Sequence, residues 1–140
     1  MNSFQERREA GGGVFLRVKL LWLWIGLAGA VGALARYAVG TWMGYFSRGF
    51  PLGTFLVNVT GCFFFGVVWS MGQEESISAD LRLILLAGFA GAFTTFSTYI
   101  FDMVELYGSQ AWRPLVLATG GQLVLGTVAM VLGLRLGRAL

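Results

Sequence analysis

The sequence predicts an all-α polytopic membrane protein with four transmembrane helices, the third of them broken. Three observations predict it. First, 56% of the 140 residues are hydrophobic and only 12% are charged, against about 25% charged in soluble domains. Mean hydropathy is +0.72, so there is too little polar surface to clothe a soluble globule. Second, the charges leave four uncharged windows, 20–35, 49–73, 83–101 and 114–134. A bilayer core of about 30 Å takes about 20 helical residues at about 1.5 Å each. Third, the third window carries Gly88 and Gly91 followed by the aromatic and hydroxylated run Thr95 to Tyr99. Glycine and β-branched threonine are poor helix formers.

The elements follow in order. Residues 1–19 are expected to form a flexible tail; 1–13 are polar and end in Gly11-Gly12-Gly13. Residues 20–140 form the transmembrane domain. No small-residue cleavage pattern follows the first apolar stretch, so span one is expected to stay in the mature protein. It is placed at 20–43. Its window is short, so it runs past Arg36 and puts a charge in or near the membrane. Span two is placed at 52–71, span three at 82–106 and span four at 113–134. The loops 45–51, 72–79 and 107–111 are short. Trp22, Trp24, Tyr37, Trp42, Tyr45, Trp69, Tyr107 and Trp112 cluster near span ends, as interfacial belts do. Twenty-one glycines suit helices whose backbones approach closely in lipid.

Absences narrow the chemistry. The chain has no histidine and one cysteine, Cys62, which excludes His triads, His metal sites and intrachain disulfides. A net charge of +3 from scattered residues makes no phosphate-tracking patch for nucleic acid. No nucleophile–base pair is present to propose an enzyme. Arg7, Arg8, Arg17, Lys19, Arg82, Arg135 and Arg138 fall on the side of both termini, and Arg48, Arg113 and Arg36 on the other. The bias is weak, so insertion in both orientations stays open.

Polar residues recur where an anchor needs none. Thr54, Asn58 and Cys62 share a face of span two. A buried amide needs partners, so Asn58 is either packing glue between helices or a functional group. In span three the polar run argues for an interrupted helix, which the bilayer tolerates only where the backbone is buried in protein or lines a cavity. Unwound carbonyls there suit a cation, and a half-helix N-terminus suits an anion. The bland alternative is a kink whose hydroxyls bond back to their own carbonyls. Arg36 sits on the small-residue face Ala28, Gly32, Arg36, Gly40. It either snorkels to the headgroups or sets a positive charge at a pore mouth. Thr119 and Gln122 are a weaker pair on span four. No carboxylate is expected at membrane depth, with Asp102 and Glu105 toward the end of span three, which disfavours proton-coupled export.

At these residues the sequence resembles the Fluc (CrcB) family of fluoride channels. Gly29-Ala30-Val31-Gly32-Ala33-Leu34-Ala35-Arg36-Tyr37 is similar to the family's G-G-x-x-G-A-x-x-R-Y. Gly53-Thr54-Phe55-Leu56-Val57-Asn58-Val59-Thr60-Gly61 is similar to G-T-L-x-V-N-x-x-G. Residues 88–99 are similar to G-F-x-G-x-x-T-T-F-S-T-F. The resemblance implies an antiparallel, dual-topology homodimer in the cell inner membrane, with two pores passing fluoride passively and lowering its cytoplasmic level. It implies a structural sodium ion at the dimer centre, held by the backbone carbonyls of Gly91 and Thr94 and not transported. It matches the family's pore-lining aromatic pair to Phe96 and Tyr99, its pore asparagine to Asn58, its vestibule arginine to Arg36, and its adjoining hydroxyls to Ser97 and Thr98. Three departures stand out. Tyr99 replaces the commoner Phe, Ala30 replaces a Gly, and the family's fourth-span polar track is not matched, since ungapped spacing lands on Ala118, Gln122 and Gly126.

The chemistry fits that resemblance. Fluoride is small and strongly hydrated, so donors must replace its water in a low-dielectric pore. Asn58, Ser97 and Thr98 can donate, Arg36 can concentrate anions, and aromatic rings present a positive edge. A small dual-topology drug exporter would instead need a membrane-embedded carboxylate in span one or two. A purely structural membrane protein would need no hydroxyl-rich break.

Overall fold

The computed structural model describes residues 3–47 and 49–140, with side chains from Arg17 onward. Of the expected tail, 1–19, residues 1 and 2 and the side chains before Arg17 lie outside the described residues; the backbone from Ser3 on is helical. The described residues form helices joined by short turns, with no strand among them. The elements are α1 (Ser3–Gly44), α2 (Leu52–Gln73), α3 (Ala79–Leu83), a π-helical stretch (Ile84–Ala90), α4 (Gly91–Phe93), α5 (Phe96–Gly108) and α6 (Trp112–Gly137). Four runs are long and apolar enough to cross a membrane: Arg17–Gly44, Leu52–Gln73, Ala79–Gly108 and Trp112–Gly137. Each expected span lies within one of these, and each run extends the span by up to three residues at an end. Helices continue through Arg17, Arg82, Arg113 and Arg135 because a charge at a span end does not stop a helix; it marks where the lipid ends.

The third span is where the backbone departs from a regular helix. Ser78 caps α3, its hydroxyl accepting from the Leu81 N–H at 3.2 Å. The widened π stretch follows, and then α4 stops at Phe93. Thr94 (ψ 158°) and Thr95 (φ −150°, ψ 118°) are extended, and α5 restarts at Phe96. The expected break is present. It falls three residues after Gly91 and is made by the two threonines, with both glycines still in helix.

Small residues set the packing. Among the described residues only Val57, Val68, Ala90 and Ala118 are buried apolar side chains, whereas large apolar side chains face outward along every span. Gly66 and Ser70 on α2 lie against Gly133 and Gly137 on α6. A Cβ at Gly133 would collide with the Phe63 carbonyl, and one at Gly137 with that of Val67. Ser70, fully buried, donates to the Leu134 carbonyl at 2.9 Å. This is a small-xxx-small contact sealed by an interhelical hydrogen bond. On the other flank, α1 lies on the π stretch and α4. A Cβ at Gly32 would strike the Phe89 carbonyl, and one at Gly88 would come 2.8 Å from the Ile25 carbonyl. At one end of the bundle Arg17 pairs with Asp80 at 2.8 Å. That exposed pair contributes at most about 1 kcal/mol, but it fixes the beginnings of spans one and three at one level.

Candidate functional site

The break is held by a single side chain. Asn58, half-buried on α2, accepts from the Thr95 N–H at Oδ1 (2.8 Å) and donates from Nδ2 to the Thr95 carbonyl (3.0 Å). Both backbone groups of the break residue are thereby satisfied by one amide. The pairing also fixes the amide orientation, because the N–H can only donate and the carbonyl can only accept. The second Nδ2 hydrogen has no partner among the described residues.

Thr95 is buried and completes the device. Its hydroxyl oxygen accepts from the Thr98 N–H at 3.2 Å, capping α5. It also donates to the Thr98 hydroxyl at 3.0 Å and lies 3.4 Å from that of Ser97. Of the two readings of the polar run, the kink with back-bonded hydroxyls accounts for Thr94 alone, whose hydroxyl donates to the Ala90 carbonyl at 2.9 Å. Thr95, Ser97 and Thr98 form a hydroxyl cluster at the start of α5.

These diversions have a consequence for carbonyls. In an unbroken helix the Thr95 N–H would serve the Gly91 carbonyl, and the Thr98 N–H would serve the Thr94 carbonyl. Here the first goes to Asn58 and the second to the Thr95 hydroxyl. Gly91 and Thr94 therefore both lose the donors that a continuous helix would supply.

A groove of about 520 Å³ runs between α2, the break and α6. Asn58, Thr94, Phe96 and Tyr99, all expected site residues, line it, together with Cys62, Gln122 and Gly126. Phe96 and Tyr99 are neighbours, with ring centroids 6.0 Å apart and planes tilted by 38°. Phe96 is 75% exposed, so its own chain leaves most of the ring bare. The Gln122 Oε1 is buried without a partner among the described residues.

The remaining expected residues stand apart from the groove lining. Ser97 and Thr98 sit in the first turn of α5, exposed and tied to Thr95. Arg36 is half-buried on α1, between Gly32, which meets the third span, and Gly40, which meets Gly53 of α2. Thr119 does not line the groove with Gln122; its hydroxyl donates to the Met103 sulfur at 3.2 Å. Asp102 is half-buried, with one carboxylate oxygen buried and unpartnered among the described residues. It lies toward the end of span three, as expected, but is more covered than a span-end carboxylate need be. The reading also passed over Thr95 as the central residue and Ser70 as interhelical glue. The spacing of Thr95 and Thr98, a hydroxyl followed three residues later by a free helical N–H, was the available signal for the cap.

The family model described as CrcB-like protein, Camphor Resistance (CrcB), matches residues 23–134. That range contains Arg36, Asn58, the whole break and Gln122. The chain belongs to the CrcB family. CrcB relatives named fluoride-specific ion channel FluC align along most of their length. The one from Nitratidesulfovibrio vulgaris is 49% identical over 116 residues, 81% of this chain and 94% of the relative. The one from Maridesulfovibrio salexigens is 46% identical over 119 residues, 84% and 94%. The one from Nitrosococcus oceani is 43% identical over 112 residues, 79% and 90%. With four helical runs able to span a bilayer, this CrcB chain is a multi-pass membrane protein.

Proposed function

We propose that this CrcB protein is a passive fluoride channel that lowers cytoplasmic fluoride. The observation that carries the proposal is the groove, in which an amide with a spare donor and two aromatic rings converge on a broken helix, in a chain whose relatives bear the name of fluoride channels. In this reading fluoride sheds water against the spare Nδ2 hydrogen of Asn58 and passes the ring edges of Phe96 and Tyr99. A ring edge is a weak donor, so the ion can leave again. Ser97 and Thr98 supply further hydroxyls at the start of α5, and Arg36 draws anions to the mouth. No energy coupling is required. In an acidic medium HF enters uncharged and ionises inside, so a selective leak drains the anion outward.

The functional unit in this reading is an antiparallel homodimer in lipid. The weak charge bias between the two faces supports insertion in both orientations, and the bare ring of Phe96 supports a second copy completing the groove. A structural sodium ion fits the break. The Gly91 and Thr94 carbonyls, short of their helical donors, are hard oxygen ligands of the kind that suit such a cation. When bound, the ion would supply fixed positive potential and satisfy those oxygens; it would not travel.

The test is fluoride efflux from liposomes holding the purified protein, with chloride as the control anion. Rapid fluoride release without chloride release supports the proposal. Equal release of both, or of neither, refutes it.

A further inference from the structure

We infer that Arg82 and Trp69 form a binding site for the phosphate of a membrane phospholipid, at the end of the bundle where the termini lie. This inference goes beyond the fluoride reading and does not depend on it. Arg82 begins the apolar part of the third span. Its guanidinium carbon lies 5.4 Å from the Trp69 ring centroid, in a cation–π arrangement. Trp69 is itself stacked on Phe65, with centroids 6.2 Å apart and planes at 12°. Behind the arginine stem lies Gly72, where a Cβ would fall on the Arg82 Cδ. The side chain is thus seated between an indole face and the bare backbone of Gly72.

A guanidinium carries five N–H donors in a fixed fork. Among the described residues none of the Arg82 donors has a hydrogen-bond or ion-pair partner, although Asp80 lies two residues away. Asp80 is already committed to Arg17 at 2.8 and 3.0 Å. The charge is held in place but left without an anion.

The depth of the site selects the ligand. The Arg17–Asp80 pair fixes the level of spans one and three, and Arg82 lies about 3 Å further in at about 1.5 Å per residue. That brings it level with Lys19, where span one becomes apolar. Trp69 is one turn in from the end of α2 and 42% exposed to the surroundings of the bundle. An amphipathic indole and an arginine at the apolar boundary occupy the zone of lipid headgroups. A phosphodiester accepts two parallel N–H bonds from a guanidinium, and its acyl chains would run beside the outward apolar surface of α2.

The test uses the full-length protein in mild detergent, stripped of lipid and titrated with dioleoylphosphatidylglycerol, with bound lipid read by native mass spectrometry. Wild type should retain the lipid, Arg82→Gln should weaken it at least about tenfold, and Trp69→Leu should weaken it severalfold while keeping the charge. Arg113→Gln, which removes a charge at the opposite end, should bind as wild type does. Undiminished binding in Arg82→Gln, or an equal loss in Arg113→Gln, overturns the site. If Arg82→Gln fails to fold, Trp69→Leu decides, and wild-type binding there overturns the proposal. Soluble glycerol 3-phosphate is the second arm. Competition at equal concentration would overturn the assignment to a lipid, because it would show a site for free phosphate.

Discussion

Replacing Asn58 by leucine removes the single side chain that holds the third span open. Leucine has the same branching and heavy-atom count as asparagine, so the variant removes the hydrogen bonds while keeping the side chain's outline. It strips the partner from the Thr95 N–H, bonded at 2.8 Å, and from the Thr95 carbonyl, bonded at 3.0 Å. Thr95 is 8% exposed, so neither group can turn to water. Each orphaned group costs about 1–3 kcal/mol, which puts the total at about 2–6 kcal/mol. Against a stability of about 5–15 kcal/mol, the variant should fold but unfold much more readily. Asn58→Asp separates the two bonds: a carboxylate keeps the acceptor for the Thr95 N–H but brings a negative oxygen to the Thr95 carbonyl. It should cost at least one orphaned group, about 1–3 kcal/mol, with the carboxylate–carbonyl repulsion added, and it should abolish fluoride flux by removing the spare donor and repelling the anion. The assay is equilibrium unfolding in mild detergent, followed by helical circular dichroism, with efflux measured on the same preparations. Wild-type stability in Asn58→Leu would refute the argument that this amide holds the break.

Four further outcomes are expected. Phe96→Ile should cut fluoride flux severely, because it keeps apolar bulk and loses the ring edge. Tyr99→Phe should keep most of the flux, since its hydroxyl has no partner among the described residues; a loss of ten- to hundredfold, roughly 1–3 kcal/mol at the barrier, would instead mark that hydroxyl as a ligand. Exchanging sodium for N-methylglucamine should lower the unfolding midpoint of the protein, whereas a sodium gradient should drive no uphill fluoride movement; gradient-driven accumulation would contradict a structural ion. Gly133→Ala should separate α2 from α6 and destabilise by about 1–3 kcal/mol, because its methyl group meets the rigid Phe63 backbone. A neutral effect in thermal unfolding would contradict the close packing of those helices.

The spans were legible in the sequence because charges in a membrane protein sit where the lipid ends, and Lys19, Arg82 and Arg113 mark those levels. The break was legible as a region, since hydroxyls and aromatics crowd residues 93–99, but its position was not. Gly88 and Gly91 looked like the weak points, yet both serve close packing or helix, and the chain opens at Thr94–Thr95. That choice depends on Asn58, 37 residues earlier, whose amide offers Thr95 a better partner than the helix does. A contact of that range leaves no periodic trace. Ser70 escaped notice for a similar reason. It reads as a small residue near a helix end, and only the approach of α6 shows that the Leu134 carbonyl is waiting for its hydroxyl. Arg36 was legible as a charge within a span. Its distance from the groove lining within one chain follows from the packing of α1 on the π stretch, which sequence spacing does not reveal.

The most direct measurement is anion efflux from liposomes containing the purified full-length protein, recorded with a fluoride electrode and then with a chloride electrode at matched protein density. The account requires fast, saturating fluoride release that needs no sodium or proton gradient, with no chloride release above that of empty vesicles, and loss of the fluoride signal in Asn58→Asp. Chloride release as fast as fluoride release, or an Asn58→Asp variant that is folded and conducts at the wild-type rate, would contradict it.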